Sequence, residues 1–215
     1  MIMPLDMTRS QQTEDADRFL MWVDGVGGYL IYLSDQIVIG GPDERGSLTD
    51  VSLLANLSRQ HATITRSGDG YVIQPAGLVS IGRREIFNAM PLEDGYEIRL
   101  GKNVRLEFQR RTVLSGTAVL RFLSDHRPKY SVDGVIMMED NCLLGPGSEN
   151  HIVCPEAEDS LVLFRRGENL FCKCRSGLAV GEKSIGKTEQ VLHLGDVICA
   201  ANVRFHLERI PELPS

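Results

Sequence analysis

Val104-Arg105-Leu106-Glu107-Phe108 puts an apolar residue at every second position and a charge between each pair. Successive side chains of a strand point to opposite faces, so this run reads as a half-buried β-strand. Val203-Arg204-Phe205-His206-Leu207-Glu208 repeats the pattern near the other end of the chain. Between them lie further short runs: Thr63 to Arg66, Tyr71 to Ile73, Ala118 to Phe122 and Leu161 to Phe164. The 21 glycines and 9 prolines interrupt these runs after a few residues, which leaves little room for helices. One helical turn is expected within Asp50 to Leu57, with Asp50 as its cap. The expected class is all-β, built as antiparallel β-sandwich.

The chain has 215 residues, enough for two units that each bury a core. Apolar content of 42% and charged content of 24% are globular values, which excludes wholesale disorder. A formal charge of −6 and the lack of a basic stripe argue against nucleic acid as partner. No apolar run approaches the roughly 20 residues that span a bilayer, and Met1 to Arg18 lack the apolar segment of an export signal. Five cysteines, an odd number, fit a reducing compartment with mostly buried thiols. A cytoplasmic protein with no membrane partner is expected.

Two halves of the sequence match in order. Val23-Asp24-Gly25-Val26 returns as Val132-Asp133-Gly134-Val135, and Ile39-Gly40-Gly41-Pro42 as Leu144-Gly145-Pro146-Gly147. Leu92-Glu93-Asp94-Gly95 is echoed by Leu192-His193-Leu194-Gly195, and Asn103-Val104-Arg105 by Asn202-Val203-Arg204. The matches imply two copies of one β unit at 19–111 and 118–210, a linker over 112–117 and a polar tail over 1–17.

In the first copy, Ile39-Gly40 is followed by Leu57-Ser58-Arg59-Gln60-His61-Ala62 and then by Leu92-Glu93-Asp94-Gly95-Tyr96-Glu97-Ile98-Arg99-Leu100-Gly101. This order resembles the forkhead-associated (FHA) domain, a β-sandwich module that recognises phosphothreonine peptides. The resemblance covers 21–110 directly and reaches 128–208 only through the repeat. Phosphothreonine carries nearly two negative charges and three acceptor oxygens, and so calls for hydroxyl, amide and guanidinium donors on converging loops. The resemblance implies that Ser58 donates to phosphate and that Arg59 reaches phosphate or peptide. It implies that His61 braces the loop and that Gly40 permits the turn bringing the loops together.

The chain departs from the family pattern at two points. Gly41 stands where the family has an arginine that grips phosphate. The stretch Gly77-Leu78-Val79-Ser80-Ile81-Gly82, where an Asn-Gly loop is expected, contains no Asn. Arg45 and Arg83 are the candidate replacements, with Arg84 beside the latter. In the second copy, Glu158-Asp159-Ser160-Leu161 occupies the place of the Ser-Arg-x-His motif, and carboxylates there repel phosphate.

Gly181-Glu182-Lys183-Ser184-Ile185-Gly186-Lys187-Thr188 matches the phosphate-loop pattern by letter. That motif works between a strand and a long helix, and a turn at Gly195-Asp196 follows too soon for one. A polar hairpin is the simpler reading, with nucleotide binding a distant alternative. Cys142, Cys154, Cys172, Cys174 and Cys199 all fall in the second copy, and core packing is expected over a metal site. Trp22 reads as an inner-face residue of the first copy.

The residues thus point to a non-catalytic interaction protein of bacterial phosphosignalling type, needing no cofactor or metal. Its partner would be a protein or phosphothreonine peptide held by Arg45, Ser58, Arg59 and Arg83, supported by Gly40 and His61. The alternative is a scaffold in which both copies work without phosphate. No residue pattern sets an oligomeric state.

Overall fold

The computed structural model describes residues 17–42, 48–112 and 115–210. The expected tail over 1–17 lies outside them except for Asp17, as do Arg45 and part of the expected linker. Among the described residues all regular structure is strand. The first series is β1 (Arg18–Val23), β2 (Gly27–Tyr32), β3 (Gln36–Gly40), β4 (Val51–Ser52), β5 (Ala62–Ser67) and β6 (Gly70–Pro75). It continues with β7 (Val79–Ile81), β8 (Arg84–Ile86), β9 (Met90–Leu92), β10 (Glu97–Leu100) and β11 (Val104–Gln109). The second series is β12 (Ala118–Phe122), β13 (Gly134–Met137), β14 (Asn141–Gly145), β15 (Ile152–Val153), β16 (Leu161–Arg166) and β17 (Asn169–Cys174). It ends with β18 (Leu178–Val180), β19 (Lys183–Gly186), β20 (Gln190–Leu192), β21 (Val197–Ala200) and β22 (Val203–Glu208).

The strands form three sheets. One has twelve strands in the order β19-β18-β21-β22-β1-β2-β13-β12-β11-β10-β7-β8. The others have five each, β4-β3-β5-β6-β9 and β15-β14-β16-β17-β20. Pairing is antiparallel except at β2 with β13, β3 with β4 and β14 with β15, which are parallel. The purely antiparallel expectation is corrected at those three pairs.

The order of the long sheet holds an exchange. β1 pairs with β22 of the other series, and β12 pairs with β11. Each series thus contributes its first hairpin to the sheet of the other. β2 and β13 lie side by side and fuse the two sheets into one.

The exchange explains a feature of the sequence. Leu20, Leu30, Leu120, Val135 and Met137 face the five-stranded sheet of the first series. Their neighbours Phe19, Met21, Ile31, Val119, Ile136 and Met138 face that of the second. The four central strands are covered on both faces, so Phe19 to Val23, Tyr29 to Leu33 and Val135 to Met138 are unbroken apolar runs. Outer strands such as β11 are covered on one face and alternate, with Val104, Leu106 and Phe108 buried and Arg105 exposed.

Two local expectations change and one is refined. Asp50 does not cap a helix: its carboxylate accepts the Val38 N–H at 2.7 Å, beside β4. Trp22 does pack against the first core as expected, but it is only half-buried, and its indole N–H donates to Glu208 Oε2 at 2.8 Å. The Val-Asp-Gly match is not a structural equivalence, because Gly25 sits in a turn at φ 70° while Gly134 opens β13. Asp133 instead accepts the Gly28 N–H at 2.9 Å and donates its own N–H to Gly28 at 2.7 Å, tying the two hairpins together.

Candidate functional site

One end of the first sandwich gathers the described ends of the β3–β4 connection with the β4–β5, β6–β7 and β10–β11 connections. The β4–β5 connection lies along the end of β3. Gly41 N–H donates to Ser58 O and His61 N–H to Ile39 O, both at 2.9 Å, and Thr49 Oγ1 donates to Arg59 O at 2.5 Å. A Cβ at Gly40 would collide with the Arg59 carbonyl and come within 2.7 Å of Ser58 O. Gly40 is therefore needed for close approach of two backbones, at the end of a strand and not in a turn. A Cβ at Gly41 would run into the Leu57 carbonyl. The missing arginine is thus more than a lost side chain, because the loop has closed over the place where it would start.

His61 ties this loop to the next. It is buried, with Nε2 3.0 Å from Leu78 O and Nδ1 3.0 Å from Ser58 Oγ. A carbonyl only accepts, so the ring proton is assigned to Nε2 and Nδ1 faces Ser58 as an acceptor. Ser58 N–H also points at Nδ1, at 3.3 Å. Ala76 and Gly77 donate N–H to His61 O at 3.0 and 2.9 Å, and Gly77 has no room for a side chain beneath the ring. Beneath the β3–β4 connection, Tyr32 donates to Asp50 O at 2.6 Å, and burial pushes its phenol pKa well up.

Ser58, Arg59 and Gln60 are exposed, and the Arg59 guanidinium makes no hydrogen bond or ion pair among the described residues. Ser58 and Arg59 therefore share one rim with Leu78, braced from below by His61. The β10–β11 turn joins them: Gly101 N–H donates to Leu78 O at 2.8 Å, and a Cβ at Gly101 would come within 3.1 Å of Leu57 Cδ2. That turn presents Lys102, exposed and unpaired among the described residues, which sequence reasoning missed. Its signal was the Leu100-Gly101-Lys102 turn after an alternating strand.

Arg83 does not join this rim. β7 leaves Leu78 with Val79 beside Leu100 and ends with Ile81 beside Ile98. Gly82 then bonds Glu97 and turns the chain, so Arg83 and Arg84 sit at the far end of β7. The separation from Leu78 is about 13 Å along an extended backbone. Three of the six residues 77–82 form β7, and the loop before it is Ala76, Gly77 and Leu78, with Ala76 and Leu78 exposed.

The second sandwich has a different end. β5 and β16 correspond at an offset that sets Glu158 at the place of Arg59 and Ser160 at that of His61, one position from the sequence expectation. Glu158 N–H donates to Ala201 O at 3.0 Å, and Ser160 N–H to Asp159 Oδ1 at 2.8 Å. Gly181-Glu182 is the turn joining β18 to β19, and Lys187 and Thr188 follow β19. With no helix among the described residues, the phosphate-loop letters lack the helix N-terminus that their chemistry requires. Cys142, Cys154, Cys172 and Cys174 are buried in the second core, whereas Cys199 is exposed.

No family model matches the chain, and no curated protein matches it. Among solved structures it is similar to "Rv0020c_FHA Structure", at 22% identity, over 39% of this chain and 84% of that one, with a TM-score of 0.29. It is also similar to Mycobacterium tuberculosis EmbR in complex with low affinity phosphopeptide, at 25% identity over 49% of this chain, with a TM-score of 0.32. The match spans about a third, 32%, of the EmbR chain. A third is the N-terminal FHA domain from EssC, a component of the bacterial Type VII secretion apparatus. There the identity is 12%, the coverage 88% of this chain and 92% of that one, and the TM-score 0.25. The likeness is to FHA domains, in an all-β chain.

Proposed function

We propose that the chain is a non-catalytic recognition protein whose first sandwich binds phosphothreonine peptides through an altered site. The observation that carries this is the rim of Ser58, Arg59 and Lys102, held in place by His61, with both cations unpaired among the described residues. Ser58 Oγ turns its proton from His61 to a phosphate oxygen by rotation about the Cβ–Oγ bond. Arg59 and Lys102 supply the charge that an arginine at position 41 would have supplied. The second sandwich, with Glu158 at the equivalent place, does not bind phosphate in this account.

Titration with a phosphothreonine peptide library and its unphosphorylated twin tests the proposal. Selective binding of the phosphorylated library is expected. Ser58→Ala and Arg59→Ala should each weaken it by about 10- to 100-fold, the weight of one hydrogen bond to a charged group. Equal binding of both libraries would favour a phosphate-independent scaffold. Leu54, 70% exposed, and Leu78, 43% exposed, are the apolar contacts such a scaffold would use at this end.

A further inference from the structure

The β1–β2 connection needs three residues, Asp24 to Val26, but its counterpart between β12 and β13 takes eleven, Leu123 to Asp133. Because the hairpins are exchanged, this longer loop is spent on the first sandwich. Pro128 forms an isolated antiparallel bridge with Leu53, and Val132 is buried in the first core, with Tyr130 packed against it. The loop is internally ordered. Arg127 lies over the Phe122 ring, 5.5 Å from its centroid, and donates to Ser124 O at 2.5 Å. Ser131 N–H returns to Pro128 O at 2.9 Å, closing a tight turn with Lys129 at its tip. Lys129 is exposed and has no ion pair among the described residues; of the loop's two carboxylates, Asp133 is taken up by the Gly28 N–H and Asp125 is exposed.

The bridge places this turn relative to the rim. Pro128 is paired with Leu53, Leu53 N–H donates to Gly40 O, and Gly41 N–H donates to Ser58 O. Three backbone-to-backbone steps of about 5 Å put Lys129 about 15 Å from Ser58, with exposed Leu54 between. An extended peptide covers that span in four or five residues at about 3.3 Å each.

We infer that the binding surface is composite: the β12–β13 loop of the second repeat forms its outer wall, and Lys129 reads a carboxylate four or five residues from the phosphothreonine. The inference rests on the phosphopeptide reading of the rim. It assigns the second repeat a direct part in recognition, although its own loop end carries Glu158 in place of the rim cation.

The test uses the full chain and three phosphothreonine peptides, with Glu, Ala or Lys at the fourth and fifth positions on either side. Wild type should prefer the Glu peptides over the Ala peptides about three- to fivefold, the weight of an exposed charge pair. Lys129→Ala should abolish that preference while phosphate dependence persists, and Lys129→Glu should transfer it to the Lys peptides. A Glu preference that survives both variants, or no preference at all in a wild type that still requires phosphate, overturns the composite surface and leaves the rim reading intact. A wild type indifferent to phosphate overturns both.

Discussion

Arg66 and Arg165 hold the same place in the two repeats, and each reaches a main-chain carbonyl of the other. Arg66 Nη2 donates to Met137 O at 3.5 Å, and Arg165 Nη1 to Leu33 O at 3.0 Å. Their own amides make matching bonds, Arg66 N–H to Asp35 O at 2.7 Å and Arg165 N–H to Asp140 O at 2.9 Å. Tyr71 adds to the first clamp by donating to Gly116 O at 2.5 Å. The exchanged hairpins are thus tied down at their far ends as well as along the sheet.

The exchange predicts where a core mutation is felt. Ile31 belongs to the first repeat by sequence and to the second core by packing. Ile31→Ala should cost about 2–5 kcal/mol. In native-state hydrogen exchange the loss should appear first in β14, β16, β21 and β22, with β3 and β5 less affected. Equal or greater loss in β3 and β5 would mean that β2 serves its own repeat.

Crowding at Gly40 and Gly41 makes a second prediction. Gly40→Ala should destabilise the chain by at least about 2 kcal/mol in urea titration, because its Cβ meets backbone that cannot step aside. Gly41→Arg, which restores the residue of the family pattern, should lower both stability and peptide affinity. Tighter phosphopeptide binding by Gly41→Arg would show that the loop opens more readily than the Leu57 contact implies.

His151 predicts an acid dependence. It does in the second sandwich what Asp50 does in the first, with Nδ1 accepting the Leu143 N–H at 2.9 Å. Nε2 therefore carries the proton and is buried without a partner among the described residues. Burial, with Arg111 nearby, holds its pKa down at about 4 from an ordinary 6.5. The unfolded chain takes up this proton below pH 6.5 and the native chain only near pH 4, so stability falls as pH drops between them, by about 3 kcal/mol. Urea titrations across that range check it, and His151→Gln should remove most of the slope.

Thiol chemistry separates the five cysteines. Burial pushes Cys154 up to about 11 and Cys172 up to about 12, and raises Cys142 as well. Cys174 is buried and Cys199 alone is exposed. A thiol reagent at pH 8 should label one cysteine quickly in the native chain, and Cys199→Ser should abolish that phase. Rapid labelling of two or more would mean that the second core opens readily.

Much of this was legible in the residues. Alternation in Val104 to Phe108 and in Val203 to Glu208 marked strands covered on one face, and the Ser58-Arg59-x-His61 spacing marked the brace and the rim. Unbroken runs at Phe19 to Val23 and Val135 to Met138 carry a mark of burial on both faces that a reading by alternation passes over, and they do not say whose core covers each face. Because β11 and β22 are alike, β1 could pair with either, and the choice depends on long-range packing that no local pattern carries. Arg83 departs from its expected place for a simpler reason: the sequence pattern at 77–82 suggests a loop, and three of its residues form a strand that carries the chain away.

The most direct test of the rim follows backbone amide resonances of the full chain during addition of a phosphothreonine peptide and of its unphosphorylated twin. Phosphate-dependent shifts are expected at Ser58, Arg59, Gly77, Leu78 and Lys102, with the amides of Glu158 and Lys187 unmoved. Shifts that are the same with and without phosphate, or that centre on the second sandwich, would contradict it.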